Sequence, residues 1–511
     1  VASKRRSDSN KKKKEREDGV AKSGHYYTPI QKHKRDGKRL LASFAQVPNL
    51  TLTSWLNDRL PEMIWMALLL ERLPRRRVLD HVRGVGVKLL LRGETVPGFD
   101  GALSAIATVD EAQARLFLGD LFVEPVVRRA LLPLLVLRDL PGRERWTEYL
   151  VEEPPDDSLT RFARSILLCD AHKSEGGTDV TWARYMLAVS SGTKPPHPEN
   201  PTELLNYPNE GDLASVRPMI RASEVMLDFS LKREPVWAAK FWRQWMDETP
   251  CAPLPPSTPP IPATGTTLAR IAEVRAAVVE HFHRTLRTTA LDAKHDASFG
   301  LSLYALDTLR ELLLVGNATG IVGRAGLREL AEVAITFSYL AHVDQDDVWM
   351  QYRVHGAGQA KLAWIKFEEH PTPGSHVDSE TLRRMANEDK WQEFVNVDLG
   401  HWANLDARKM AQDSGTKDIY DAFYGWPSTF VHGQWCAVRA TVLATCANPL
   451  HRFHRVPTGS STVLADVIPD SATLVDRALG VLDRLFPGLT AKSVMTAPSS
   501  TTPEGTSDTS R

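Results

Sequence analysis

From Leu50 to about Cys251, apolar residues recur three and four positions apart in segment after segment: Trp55, Leu56, Leu60, Met63, Ile64, Ala67 and Leu68, then Val78, Val82, Val85 and Leu89, then Val126, Val127, Ala130, Leu131 and Leu134. That period gathers each group on one side of an α-helix, and the strict alternation expected of a half-buried strand is nearly absent. Asp157 and Ser158 are placed to open a helix reaching Asp170. The pair Gly176 and Gly177 then reads as an interruption, with Thr178 and Asp179 opening the next helix toward Ala188.

Seven prolines between Pro250 and Gly265 exclude helix and central strand there, so residues 250–265 read as a semi-rigid linker. Helical spacing resumes beyond it and predicts helices over Thr267–Leu286, Phe299–Val315, Val322–Leu340, Val348–Glu368, Glu380–Met385, Asp398–Met410, Pro427–Cys446 and Ser471–Phe486. The expected fold class is all-α, with two helical domains at residues 41–249 and 266–490. Residues 1–40 carry 14 Lys/Arg against 5 Asp/Glu and are expected to form a basic, largely disordered arm. Residues 491–511, rich in Ser, Thr and Pro, are expected to be a disordered tail.

The whole chain of 511 residues balances 63 Lys/Arg with 63 Asp/Glu and is 42% hydrophobic, enough to build sizeable cores and to exclude a wholly disordered chain. No apolar run approaches the ~18 residues of a membrane span, and no secretory signal opens the chain, so a cytoplasmic protein without membrane contact is expected. The four cysteines, Cys169, Cys251, Cys436 and Cys446, lie far apart and form no CxxC or Cys/His cluster along the chain. On that ground neither a disulfide framework nor a metal site is expected, and no cofactor is implied. An initial Val, and 42 Arg against 21 Lys, fit a GTG start codon in a GC-rich bacterium.

Candidate chemistry falls in three places. Arg324, Arg328 and Glu332 stand four apart, a spacing that keeps them on one narrow stripe of a helix, continued by Ile335 and Tyr339. A solvated salt-bridge ladder would give this pattern, but the apolar continuation implies that the face meets protein. Leu330, Val333, Ala334 and Phe337 form the opposite, core face. In the segment around Pro427, Ser428, His432, Trp435 and Arg439 are expected on one helical face, with Tyr420 and Tyr424 in a preceding turn. His432 there is a candidate general base, although a lone histidine on such a helix is more often a structural donor. Tyr352, Arg353, His355 and Lys361 combine aromatic and cationic groups with Gly356 and Gly358, which mark a close crossing or a kink.

These residues carry a resemblance. The stretch from about Leu268 to Pro457 resembles the bacterial domain-of-unknown-function family numbered 5677, with Arg328 and Glu332 as its R-x3-E, Tyr352 and Arg353 on a downstream aromatic/Arg helix, and Ser428 and His432 as its S-x3-H. The strings CDAHKSEGGTDVTW and NYPNEGDLASVRPMIRASE resemble the upstream region that accompanies that domain. The domain is similar in build to HEPN helical bundles, many of which are metal-independent ribonucleases. The resemblance implies His432 as base toward a ribose 2′-OH, Arg328 or Arg353 on the phosphate with Glu332 orienting an arginine, and Arg324, Tyr352, Ser428 and Tyr424 as binding residues.

The R-x4–6-H spacing of HEPN nucleases occurs here (Arg75 or Arg76 with His81, Arg275 with His281) no more often than random placement gives, and His432 has no arginine at that distance upstream. The expected partners are RNA, or else a protein partner or second copy if the chain is a non-catalytic helical scaffold. A third reading, an HD-type metal phosphohydrolase built on His295 and Asp296, suffers from the polar run around that doublet.

Overall fold

The computed structural model describes residues 33–37, 39–41, 54–93, 96–194, 201–231, 236–254, 265–316, 318–370, 376–388, 390–459 and 462–495. Most of the basic arm, most of the proline-rich linker and nearly all of the Ser/Thr/Pro tail lie outside them. The described chain is all-α, with two short antiparallel ladders: β1 (Lys34–Asp36) with β2 (Arg39–Leu41), and β3 (Leu443–Thr445) with β4 (Arg455–Pro457). Among the described residues, no helix is long and apolar enough to cross a membrane. Two compact units divide the chain: Val1–Ala252 with Ala447–Phe453, and Pro253–Cys446 with His454–Arg511. The short segment Ala447–Phe453, which linear reading assigns to the later domain, thus belongs to the first.

The longer helices of the first unit are α1 (Ile64–Arg72), α2 (Arg75–Leu91), α3 (Glu111–Leu121), α4 (Ser158–Cys169), α5 (Glu175–Ser190), α6 (Leu213–Leu231) and α7 (Val236–Glu248). The periodic positions read from the sequence, Leu60 to Leu68 and Val78 to Leu89, lie in its core together with Trp65, Trp146, Trp182 and Trp245. Helix α5 starts earlier than the glycine pair suggests. Ser174 caps it by accepting from the Gly177 N–H at 2.9 Å, so Gly176 and Gly177 sit inside the first turn. A Cβ on Gly177 would lie 2.5 Å from the Ala171 carbonyl oxygen, so the glycine permits a close backbone approach where it was expected to break a helix.

Buried charged residues of this unit form ion pairs. Arg184 joins Asp100 at 2.8 Å to Glu224 at 2.6 Å, and Arg59 donates to the other oxygen of Glu224. Arg75 grips Asp179 through Nε at 2.6 Å and Nη2 at 2.8 Å, and the Tyr207 hydroxyl donates to the same carboxylate.

In the second unit the helices are α8 (Leu268–Thr285), α9 (Ala293–Leu314), α10 (Ile321–Val343), α11 (Asp346–Glu369), α12 (Ser379–Ala386), α13 (Ala407–Asp413), α14 (Gly425–Val431), α15 (Trp435–Val442) and α16 (Ile468–Leu485). Thr267 and Asp292 cap α8 and α9 by accepting from the Arg270 and His295 N–H groups. Helix α10 is central: it packs on α9, α13, α14 and α16. Its expected core face, Leu330, Val333, Ala334 and Phe337, is buried, and Ala472, Val475, Leu479 and Leu482 of α16 share that core.

Two expected helices differ from what forms. Of the span 398–410 only the end is helical, because Asn404 turns through φ 51° and Asp406 caps a new helix by accepting from the Lys409 N–H at 2.7 Å. The single helix expected from Pro427 to Cys446 is broken into α14 and α15 at Gly433, φ 55°, and ends in β3.

Candidate functional site

Helix α10 carries its polar stripe into three different environments. Arg324 is buried, and its Nη1 and Nη2 donate to the carbonyls of Ala318 at 3.0 Å and Ala465 at 2.5 Å. Burial lowers its pKa, and its hydrogen bonds tie the start of α10 to the irregular lead into α16. One turn on, Arg328 donates Nη2 to the Tyr424 hydroxyl at 2.7 Å, Nε to Ser428 Oγ at 3.2 Å and Nη1 to the Glu332 carboxylate. Tyr424 stacks on Tyr420 with centroids 4.8 Å apart. Arg328 therefore holds α14 and the π-helical turn Tyr420–Tyr424 against α10.

Glu332 faces a cleft of about 900 Å³ between α9, α10 and α11. Carboxylates of Asp296, Glu329, Glu332 and Glu388 line it, with Arg353 as the one arginine or lysine. Arg353 donates Nη1 to Asp296 at 3.0 Å and Nη2 to Glu388 at 2.9 Å, so its charge is already met. Four wall carboxylates meet one wall guanidinium, and Arg328 pairs with Glu332 from outside the cleft, which leaves the group two charges negative. Tyr304 of α9 donates to Glu329, and that bond to a carboxylate pushes its phenol up to about 12.

Aromatic rings supply the rest of the wall. Trp402 meets Tyr352 edge-on at 5.4 Å and Tyr339 at 5.9 Å. Trp402 and His401 belong to a non-helical segment laid along α11 by hydrogen bonds from Lys361 to the Gln392 and Val395 carbonyls, from Gln359 to the Asp398 carbonyl, and between His355 Nε2 and the Gly400 carbonyl oxygen. Gly358 makes this approach possible, since a Cβ there would lie 2.7 Å from the Asn396 carbonyl oxygen; of the two glycines it alone marks a crossing, and by this segment, not by a helix. Burial and the neighbouring His355 lower the pKa of His401. Two smaller hollows adjoin the cleft, one sharing Glu332 and His401 and reaching Tyr424, the other sharing Arg353 and Glu388 and reaching Arg384.

The candidate residues thus separate. Arg328, Glu332, Tyr424 and Ser428 form one hydrogen-bonded group, and Glu332, Tyr352 and Arg353 line one cleft. Arg324 is a structural tie outside it. His432 is exposed at the end of α14 and lines neither the cleft nor its adjoining hollows. Ser428, His432 and Trp435 do not share a helical face, because Gly433 breaks the helix between them.

The remaining histidine patterns also come apart. His281 faces the Phe486 carbonyl oxygen at 2.7 Å while Arg275 pairs with Asp307. His295 is buried against Phe282, Phe299 and Phe486 with Nε2 3.0 Å from Thr285 Oγ1, whereas Asp296 enters the cleft.

The sequence reading missed Tyr304, Glu329, Glu388, His401 and Trp402. A signal for part of this exists: Asp296 and Tyr304 stand eight apart with Gly300 midway, the same four-residue stepping as Arg328 and Glu332.

A family model described as a family of unknown function (DUF5677) matches residues 295–443, the stretch that contains every charged wall residue of the cleft. No curated protein and no solved structure matches the chain.

Proposed function

We propose that the second unit binds an organic cation in the cleft between α9, α10 and α11 and that this binding is its function. The observation that carries the reading is the wall chemistry: four carboxylates and one already paired arginine, beside the rings of Tyr304, Tyr352 and Trp402. Carboxylates focus a field that attracts positive charge, and aromatic faces add cation–π attraction of about 0.5–2 kcal/mol when water is excluded. The volume suits a small molecule or the side chains of a short basic peptide.

The ribonuclease reading suggested by the HEPN resemblance has less support. Phosphate would approach a negative wall, both candidate guanidinium groups are engaged by carboxylates, and the candidate base His432 stands outside.

Calorimetry of the full chain with arginine amide, spermidine and a single-stranded RNA oligonucleotide tests the proposal. The two cations are expected to bind, and Glu329→Gln to weaken them by roughly tenfold, about 1.4 kcal/mol. RNA binding without cation binding would overturn it, as would RNA cleavage by the wild type that His432→Ala abolishes.

A further inference from the structure

The three adjoining spaces of the second unit change in charge from one end to the other. The hollow that reaches Tyr424, about 530 Å³, has the carboxylates of Glu332 and Asp406 in its wall and neither arginine nor lysine. The cleft carries four carboxylates and Arg353. The hollow beyond Arg353, about 640 Å³, reverses the balance, with Arg353 and Arg384 against Glu388 alone. Resting on the cation-binding reading of the cleft, we infer that the ligand is a basic amino acid, free or at the C-terminus of a peptide, whose cationic side chain enters the cleft and whose carboxylate is held by Arg384.

Arg384 is the charge left over at that end. Glu388 is already met by Arg353 at 2.9 Å. The carboxylates of Asp378 and Glu380, close to Arg384 along the chain, are engaged as well. Asp378 caps α12 by accepting from the Thr381 N–H at 3.1 Å and from its hydroxyl at 2.5 Å, and Arg383 grips Glu380 at 2.9 and 2.7 Å. Arg384 itself donates Nη2 to Thr381 Oγ1 at 3.0 Å. With the Thr381 proton committed to Asp378, that oxygen accepts, so the bond steadies the guanidinium and leaves its other donors for a planar anion.

The cleft and the hollow share Tyr352, Arg353, His355, Met385 and Glu388 as a common wall. Arg384 lines only the hollow, beyond that wall. A lysine or arginine separates its carboxylate from its cationic head by a flexible methylene stem, and Tyr352 and Met385 offer that stem apolar surface where it passes between the two spaces. The field fixes the direction. A carboxylate in the cleft would face a wall of its own charge and a cationic head in the hollow would face Arg384, so the reversed pose is opposed at both ends.

Calorimetry of the full chain with L-arginine and with arginine amide tests the assignment. The amide carries more positive charge, so the negative cleft by itself favours it. A carboxylate held by Arg384 reverses that order, and L-arginine is expected to bind roughly fivefold tighter, as a partly exposed bidentate ion pair would give. Arg384→Gln is expected to erase that advantage, whereas Glu329→Gln weakens both ligands alike and keeps it. Glycyl-arginine separates the two sources: affinity equal to or above that of L-arginine assigns a peptide terminus, and a loss assigns the free amino acid. Amide binding as tight as that of L-arginine, or tighter, overturns the assignment and leaves the cation reading standing, while failure of both ligands to bind overturns the two together. Equal weakening of both ligands by Arg384→Gln also overturns the assignment.

Discussion

Arg328 donates to the hydroxyl of Tyr424 at 2.7 Å while its Cζ stands 4.4 Å from the centroid of that same ring. The contact joins residues 96 apart in sequence and makes the guanidinium a latch between α10 and the stacked tyrosines, with Glu332 held at the cleft edge by the same group.

Replacing that planar fork should be costly even by another cation. Arg328→Lys keeps one positive charge but cannot address Tyr424, Ser428 and Glu332 together. It is expected to lose roughly 1–3 kcal/mol in urea unfolding, close to the loss for Arg328→Ala, because hydrogen bonds to charged groups are the stronger kind. Recovery of full stability in the lysine variant would mean that charge alone matters at this position.

Gly356 and Gly358 lie two residues apart on α11 and should respond oppositely to an added methyl group. At Gly358 a Cβ would meet the Asn396 carbonyl oxygen at 2.7 Å, and backbone cannot swing aside as a side-chain end does. Gly358→Ala is expected to destabilise by about 1–3 kcal/mol and to raise proteolytic cleavage within 391–404. At Gly356 nothing lies within 4 Å, so Gly356→Ala gains about 0.4–1 kcal/mol by restricting the unfolded chain. Equal effects at the two positions would contradict the close crossing.

How far the sequence could be read follows from these contacts. The α10 stripe was visible because helical period is local: four residues fix which side chains are neighbours, and Arg328 with Glu332 needs nothing else. Trp435 and Arg439 do not continue the face of Ser428 and His432, because the same extrapolation ran through Gly433, where φ 55° ends the helix. The wall residues His401 and Trp402 sit in a segment without period, positioned by contacts to α11 some 40 residues upstream. Cys251 Sγ lies 3.6 Å from His451 Nδ1 across 200 residues of sequence, and no spacing rule reaches that far.

His172 gives the first unit a distinct acid sensitivity. Its ring lies 4.9 Å from that of Trp55, and burial, with the charges of Arg59, Arg221 and Lys173, brings its pKa down to about 3. Glu224, 3.9 Å away, would favour the imidazolium, but both of its oxygens are already engaged by Arg184 and Arg59. The unfolded chain binds the proton near pH 6.5 and the folded chain only near 3, so this contribution to stability is present above about 6.5 and is lost as pH falls toward 3. His172→Leu removes that titration. Tryptophan fluorescence during urea unfolding from pH 7 to 5 is expected to show a shallower loss of stability than in the wild type, and an equal slope would exclude a neutral buried imidazole.

Arg184 is the residue whose loss the first unit should tolerate least. Its side chain is 3% exposed and bridges Asp100 and Glu224, both fully buried. Two carboxylates out of water repel each other and have surrendered their hydration, so the guanidinium between them offsets a desolvation cost that neither can offset alone. Arg184→Ala leaves Arg59 to meet Glu224 but takes from Asp100 its bidentate-capable partner, and a loss of about 3–5 kcal/mol follows from the general cost of an uncompensated buried charge. Arg184→Met, similar in volume, tests whether packing or charge decides: it should be nearly as damaging. Combining it with Asp100→Asn should restore part of the loss, because the stranded charge is then gone. Additive losses in the double variant, measured by urea unfolding, would show that Arg184 stabilises this core by its bulk and not by its pairing.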